Sequence, residues 1–97
     1  MDKICKTYGV SMKKEIDIFG TIHYYNDNNE LHREDGPALE STSGDKSWWI
    51  NGKPHREDGP AIEWVDGSKE YWYNNIYYPE IETDEEWIKF VKLMVFL

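Results

Sequence analysis

The heptad His-Arg-Glu-Asp-Gly-Pro-Ala occupies residues 32–38 and recurs unchanged at residues 55–61, 23 positions later. Seven consecutive identities at a fixed offset do not arise by chance in a chain of 97 residues. A period of this length is typical of proteins that stack one supersecondary unit on the next. The two heptads therefore predict a repeat protein.

Each heptad begins a longer unit of similar residues. It is followed by an aliphatic residue and Glu, a glycine turn, a Lys, an aromatic pair and an Asn. An eroded copy precedes the first heptad, with Gly20 at the turn and Tyr24-Tyr25 as the aromatic pair. The chain is therefore expected to hold three units.

The turn residues predict that each unit is a β-hairpin. Asp66-Gly67 and Asn51-Gly52 are strong tight-turn signals, and Asp-Gly-Pro in each heptad turns the chain before a strand. Outgoing strands are expected over residues 38–42 and 61–65, and return strands over residues 45–50 and 68–73. The fold class is then mainly β, an antiparallel meander of three repeated hairpins over residues 15–75. Residues 1–14 are a lead-in, with an edge strand around Tyr8.

The end of the chain predicts a capping α-helix over residues 83–97. Thr83 followed by Glu86 forms a capping box, and Asp84 and Glu85 suit the positive end of a helix dipole. The apolar residues of this segment cover most of its circumference, which is too much for a surface helix. The helix is expected to plug the sheet of a single domain, residues 1–97, and is a candidate contact for a second subunit.

Composition narrows the classes of partner. The net charge is −8, which disfavours direct binding to nucleic-acid phosphates or to anionic lipid. A single Cys5, read as an ordinary thiol, excludes an intrachain disulfide and fits a reducing compartment. The apolar ending is too short to span a bilayer. We expect a soluble, cytoplasmic protein with no membrane insertion.

The run Asn51-Gly52-Lys53-Pro54-His55, with Gly59 and Asp66-Gly67-Ser68-Lys69 before an aromatic pair, resembles a divergent MORN repeat. The resemblance covers residues 15–75, although Arg-Glu-Asp stands here between the His and the Gly of that pattern. Arrays of the same heptad also resemble proteins of bacteriophages and large DNA viruses. The resemblance implies β-hairpin repeats and a scaffold or protein-binding role.

The titratable residues of the heptads have two readings. His32 with Asp35, and His55 with Asp58, suit a metal site or acid–base chemistry. Equivalent residues of successive repeats, however, lie about two strand spacings apart, roughly 10 Å, whereas a catalytic site needs one set of groups in one pocket. We therefore expect no enzyme activity, no metal and no cofactor. The residues expected to bond one repeat to the next are His32, Arg33, Asp35, His55, Arg56 and Asp58.

The aromatic pairs indicate an interaction surface. Neighbouring residues of a strand point to opposite faces, so the first and second members of the pairs form two rows. The MORN resemblance places Trp49 and Trp72 in the core, which leaves Tyr24, Trp48 and Tyr71 as the exposed row. The alternative is that both rows are buried, by a folded sheet or by dimerisation.

The leading hypothesis is a non-catalytic module that binds another protein, with inhibition as one form of that binding. Its predicted contact residues are Tyr24, Trp48, Tyr71, Trp64, Glu40 and Glu63. A second hypothesis is an acidic nucleic-acid mimic, carried by Glu40, Glu63, Asp35 and Asp58, that blocks a DNA-binding enzyme. A third is a structural homo-oligomer assembled through the helix at residues 84–97.

Overall fold

The computed structural model describes residues 13–95. The described chain holds ten short strands and one helix in the order of the sequence. They are β1 (Lys13–Ile16), β2 (Ile22–Tyr25), β3 (Leu39–Glu40), β4 (Lys46–Ser47), β5 (Trp49–Ile50), β6 (Lys53–Pro54), β7 (Ile62–Glu63), β8 (Lys69–Glu70), β9 (Trp72–Tyr73), β10 (Ile76–Tyr77) and α1 (Asp84–Val95).

Six strands form one antiparallel sheet in the order β1-β2-β3-β4-β7-β8. Three of its hairpins close with the same turn, in which a glycine N–H donates to the carbonyl three residues earlier. These pairs are Gly20 to Asp17, Gly44 to Ser41 and Gly67 to Trp64, and all three glycines have positive φ. The predicted mainly β fold of repeated antiparallel hairpins with a C-terminal helix is confirmed.

The second and third return strands are interrupted at the first residue of the aromatic pair. The Trp48 N–H donates to Ala61 O at 2.7 Å, while its carbonyl accepts from the His55 N–H at 3.1 Å. The chain therefore leaves the large sheet at Trp48 and enters a second hairpin, β5–β6, and β9–β10 repeats this arrangement. The prediction of continuous return strands over residues 45–50 and 68–73 was wrong. The N–H and the carbonyl of the first aromatic residue bond to different segments of the chain, which breaks the strand there.

The buried alanine of each heptad lies between two strands of the large sheet. The Ala38 N–H donates to Ser47 O, and its carbonyl accepts from the Tyr24 N–H. Ala61 repeats this pattern between Glu70 and Trp48. Both alanines are fully buried, so the end of the heptad is built into the sheet.

Three hydrogen bonds join each heptad to the hairpin that follows it. At the first joint Arg33 N donates to Trp49 O, Gly52 N to Leu31 O, and Asn51 N to His32 Nδ1. At the second joint the donors and acceptors are the residues 23 positions later: Arg56 N to Trp72 O, Asn75 N to Pro54 O, and Asn74 N to His55 Nδ1. The repeats are therefore connected by the same bonds twice.

Helix α1 begins as predicted. Thr83 Oγ1 accepts from the Glu86 N–H at 3.1 Å, and Glu86 Oε1 accepts from the Thr83 N–H at 3.2 Å, which is the reciprocal capping box. The helix packs through Trp87 and Val91 against Tyr71 at the last repeat. Its far side is open, with Leu93 67% exposed. The helix therefore covers the end of the repeat array rather than a whole sheet face.

The chain ends differ in part from the predicted bounds. Strand β1 starts at Lys13, inside the predicted lead-in of residues 1–14. Tyr8, Cys5 and the last two residues, 96 and 97, lie outside the described residues. No helix within residues 13–95 is long and apolar enough to cross a membrane.

Candidate functional site

The arginine of each heptad lies over the aromatic ring of the preceding hairpin. The Arg33 guanidinium carbon is 4.2 Å from the centroid of the Tyr24 ring, and that of Arg56 is 3.8 Å from Trp48. A cation over a ring face is attracted by the ring quadrupole. Tyr24 and Trp48, the first two residues of the predicted exposed row, are thus covered by the protein's own arginines.

Hydrogen bonds hold each guanidinium in this position. Arg56 Nε donates to Asp58 at 2.9 Å, and its Nη1 donates to Pro60 O and to Glu63 Oε2, both at 3.1 Å. A Cβ on Gly59 would lie 2.9 Å from the Arg56 guanidinium carbon, so a larger residue here would push the guanidinium out of this position. The heptad is therefore a loop folded around its own arginine.

The first heptad repeats this loop with looser contacts. Arg33 Nε donates to Asp35 at 2.9 Å and its Nη1 to Pro37 O at 3.2 Å, while Glu40 lies 3.6 Å from Nη1. Asp35 and Asp58 each bond the arginine two residues earlier, within their own heptads. These contacts place both aspartates in the loop rather than across the joint to the next repeat.

The heptad histidines have a defined tautomer. His32 Nδ1 accepts the Asn51 N–H at 3.0 Å, so that nitrogen carries no proton and the proton of the neutral ring lies on Nε2. His32 Nε2 lies 3.5 Å from Glu34, and in the second heptad His55 Nε2 hydrogen-bonds to Glu57 at 3.2 Å. A ring that accepts a hydrogen bond at Nδ1 carries no net charge, so neither contact offsets the charge of the glutamate.

An open groove of about 940 Å³ lies between the two heptad loops. Its apolar part is Trp48 and Ile50, and its walls are the two loops themselves. The full lining is Arg33, Glu34, Asp35, Gly36, Trp48, Ile50, His55, Arg56, Glu57, Asp58 and Asn74. Two guanidiniums stand against four carboxylates, so with His55 neutral the lining carries a net charge of −2.

The rim of the groove is acidic and exposed. The side chains of Glu34 and Asp35 are 78% and 80% exposed, and those of Glu57 and Asp58 are 57% and 81% exposed. Asp35 and Glu40 share the single charge of Arg33, and Asp58 and Glu63 share that of Arg56, so each of these clusters keeps a charge of −1. Glu34 and Glu57 add a further negative charge to each loop.

The predicted exposed row of Tyr24, Trp48 and Tyr71 requires a correction. Tyr71 is 2% exposed and packs on Trp87, because helix α1 docks on the last repeat. Tyr24 and Trp48 are half-buried beneath the heptad arginines. Of the row, only the Trp48 ring lines the groove, and Tyr71 is excluded as a contact residue.

The second row also differs from the expected core. Trp49 and Trp72 are half-buried, with their indole N–H groups donating to Ser47 Oγ and to Glu70 Oε1. Trp72 stacks on Tyr77 with ring centroids 5.2 Å apart. The most buried aromatic side chain of the repeats is instead Tyr71, in the predicted exposed row.

The remaining predicted contact residues do not form one surface with the groove. Glu40 and Glu63 are paired with Arg33 and Arg56, which weakens the acidic-mimic hypothesis because part of their charge is offset within the protein. Trp64 is 43% exposed and lies outside the groove, in the third hairpin turn. Exposed Ile18 and Phe19 occupy the first turn of the same sheet.

The groove lining includes three residues that were not predicted as contact residues: Ile50, Glu34 and Glu57. The recurrence of Glu at both heptads was visible in the sequence. However, only the structure shows that the two loops face each other across a groove.

Burial and hydrogen bonding shift the pKa of Tyr71. Desolvation raises the pKa of this hydroxyl well above its usual range, and the hydrogen bond that it donates to Asp84 at 2.7 Å raises it further. Tyr71 therefore stays protonated and acts as a fixed donor to the first residue of the helix.

Within residues 13–95, no group of three or more His, Cys, Asp or Glu residues is placed to hold a metal ion. The histidines of the two heptads use Nδ1 to accept a hydrogen bond from a backbone N–H.

No protein-family model matches the chain, and no curated protein or solved structure matches it.

Proposed function

We propose that this protein is a non-catalytic module, built on MORN-like repeats, that binds a partner protein in the groove between its two heptad loops. The observation that carries the proposal is the groove itself. Two identical loops flank an apolar floor of Trp48 and Ile50, and their outer carboxylates remain in solvent. A partner whose active surface is buried in this groove would be inhibited.

The chemistry of the loops supports binding rather than catalysis. Each histidine accepts a backbone N–H, and each arginine is held by two carboxylates, a carbonyl and a ring. A catalytic base needs a free lone pair, and a transition-state cation needs a free guanidinium. Walls whose histidines and arginines are already bonded within the protein, with an apolar floor between them, instead suit recognition.

A steric variant tests the proposal without changing charge. Ile50→Trp enlarges a side chain in the floor of the groove, and Ile76→Trp makes the same change in another two-residue strand, at a residue outside the groove lining. Tagged full-length protein would be used to capture partners from cell extract at low and high salt.

The proposal predicts one protein recovered in near-stoichiometric amount with wild type and with Ile76→Trp, and lost with Ile50→Trp. Circular dichroism and urea unfolding check that both variants are folded. Equal recovery with Ile50→Trp, or recovery of no protein with wild type, would overturn the proposal.

A further inference from the structure

We infer that the groove between the heptad loops takes a cationic segment of the partner, with an Arg or Lys side chain bracketed by Glu34 and Glu57. This inference rests on the proposed function, because it names the chemistry of the segment that the groove would bind. It is carried by the placement of charge around the groove.

The positive charges in the lining are already occupied. Arg33 and Arg56 are each held against an aspartate and a glutamate, and each lies over an aromatic ring. Each positive charge is outnumbered by two carboxylates, and one face of each guanidinium is covered by a ring. An incoming anion would have to displace one of these carboxylates.

The negative charges of Glu34 and Glu57 are open to solvent. Both side chains are largely exposed, one on each wall, and Glu57 uses one oxygen for a hydrogen bond with His55. Equivalent atoms of successive repeats lie about 10 Å apart, since two strand spacings separate β3 from β7. That distance leaves room for one extended side chain between the two carboxylates.

The floor suits the stem of such a side chain. Long basic side chains bury their methylene groups on apolar surface while the charged end stays near water and carboxylates. Trp48 and Ile50 supply the apolar surface beneath the acidic rim. An overall charge of −8 also attracts a cationic segment from a distance.

The probe is a fluorescently labelled hexa-arginine peptide, titrated with the full-length protein and followed by anisotropy. A hexaglutamate peptide is the control ligand. The groove variant is Glu34→Lys with Glu57→Lys, and the matched variant is Glu15→Lys with Glu80→Lys, which changes the net charge equally at exposed residues outside the groove lining.

We expect hexa-arginine to bind, with Kd raised about tenfold or more in the groove variant and by less than about twofold in the matched variant. Equal weakening in both variants would mean that only net charge matters, and would overturn the inference. Binding of hexaglutamate as tight as that of hexa-arginine would also overturn it.

The two proposals can fail separately. If the partner is lost with Ile50→Trp but retained by the groove variant, and hexa-arginine does not bind, the function stands and the cationic ligand is wrong. If the partner is retained with Ile50→Trp, the groove is not the binding site and the proposed function falls, whatever the peptide does.

Discussion

The indole of Trp87 lies against the ring of Tyr71, with centroids 5.5 Å apart. Tyr71 is the third member of the aromatic row, and the first two members are covered by heptad arginines. No third heptad follows Tyr71 to supply such an arginine, and the helix supplies Trp87 in its place. Trp87 also donates its indole N–H to Arg56 O at 2.8 Å. One side chain therefore packs on the Tyr71 ring and bonds a backbone carbonyl of the second heptad.

Replacing Trp87 with Ala should therefore destabilise the whole domain. The side chain is fully buried, and large aromatic-to-alanine changes in a core cost about 3–5 kcal/mol of unfolding free energy. Urea denaturation measures this loss. Leu93→Ala on the exposed side of the same helix is the control and should change the free energy by no more than about 0.5 kcal/mol. Similar losses in the two variants would contradict the capping role.

The guanidinium of Arg56 should not be replaceable by an ammonium group. Arg56→Lys keeps the charge but loses the fixed fork that reaches Asp58, Pro60 and Glu63 together. We expect a loss of about 1–2 kcal/mol in chemical unfolding, and a smaller one for Arg33→Lys, whose contact with Glu40 is longer. Unchanged stability in Arg56→Lys would show that the fixed geometry of the guanidinium contributes nothing measurable to stability.

The Nδ1 acceptor of His32 can be separated from the bulk of its ring. His32→Asn places an amide oxygen near the position of Nδ1, whereas His32→Leu leaves the Asn51 N–H without this acceptor. The Leu variant should lose about 1 kcal/mol more than the Asn variant in thermal or urea unfolding. If the two variants are equally stable, the hydrogen bond to the next hairpin contributes nothing measurable.

Acid should weaken the first hairpin turn through Asp17. Partial desolvation opposes the shift, but hydrogen bonds from His23 and from the backbone N–H groups of Thr21 and Phe19 prevail and lower the pKa of Asp17 below 3.8. A lowered folded-state pKa gives stability that is complete above the unfolded value of about 4 and is lost as pH falls through the folded value.

The Asp17→Asn variant tests this relationship. Urea midpoints would be measured at neutral pH and at several values below about pH 4, where the wild type should lose stability more steeply than the variant. Parallel curves for the two proteins would show that the Asp17 turn does not contribute to the acid response.

Features set by nearby residues were predictable from the sequence, and features set by docking were not. The glycine turns at residues 20, 44 and 67 and the Thr83 capping box depend on a few adjacent residues, and the structure has them where predicted. The burial of Tyr71 depends on where a distant helix packs, and the break at Trp48 depends on which repeat each backbone group reaches. Alternation along one strand could not reveal either.

The candidate site shows the same division. Repetition of the heptad identified the loops, but not that each arginine folds back over the preceding ring. Once that contact is known, counting charges shows that the two arginines leave both loops negative, with Glu34 and Glu57 adding to the excess. The groove therefore required the three-dimensional arrangement of two loops that are identical in sequence.

The most direct test of the account is a ¹H–¹⁵N NMR titration of labelled protein with the captured partner. The account predicts that the largest shifts fall on the amides of Gly36 and Gly59 and on the indole N–H of Trp48, in and beside the groove. Shifts confined to the hairpin turns at Ile18, Phe19 and Trp64, with the heptad loops unchanged, would contradict it and place the binding surface elsewhere.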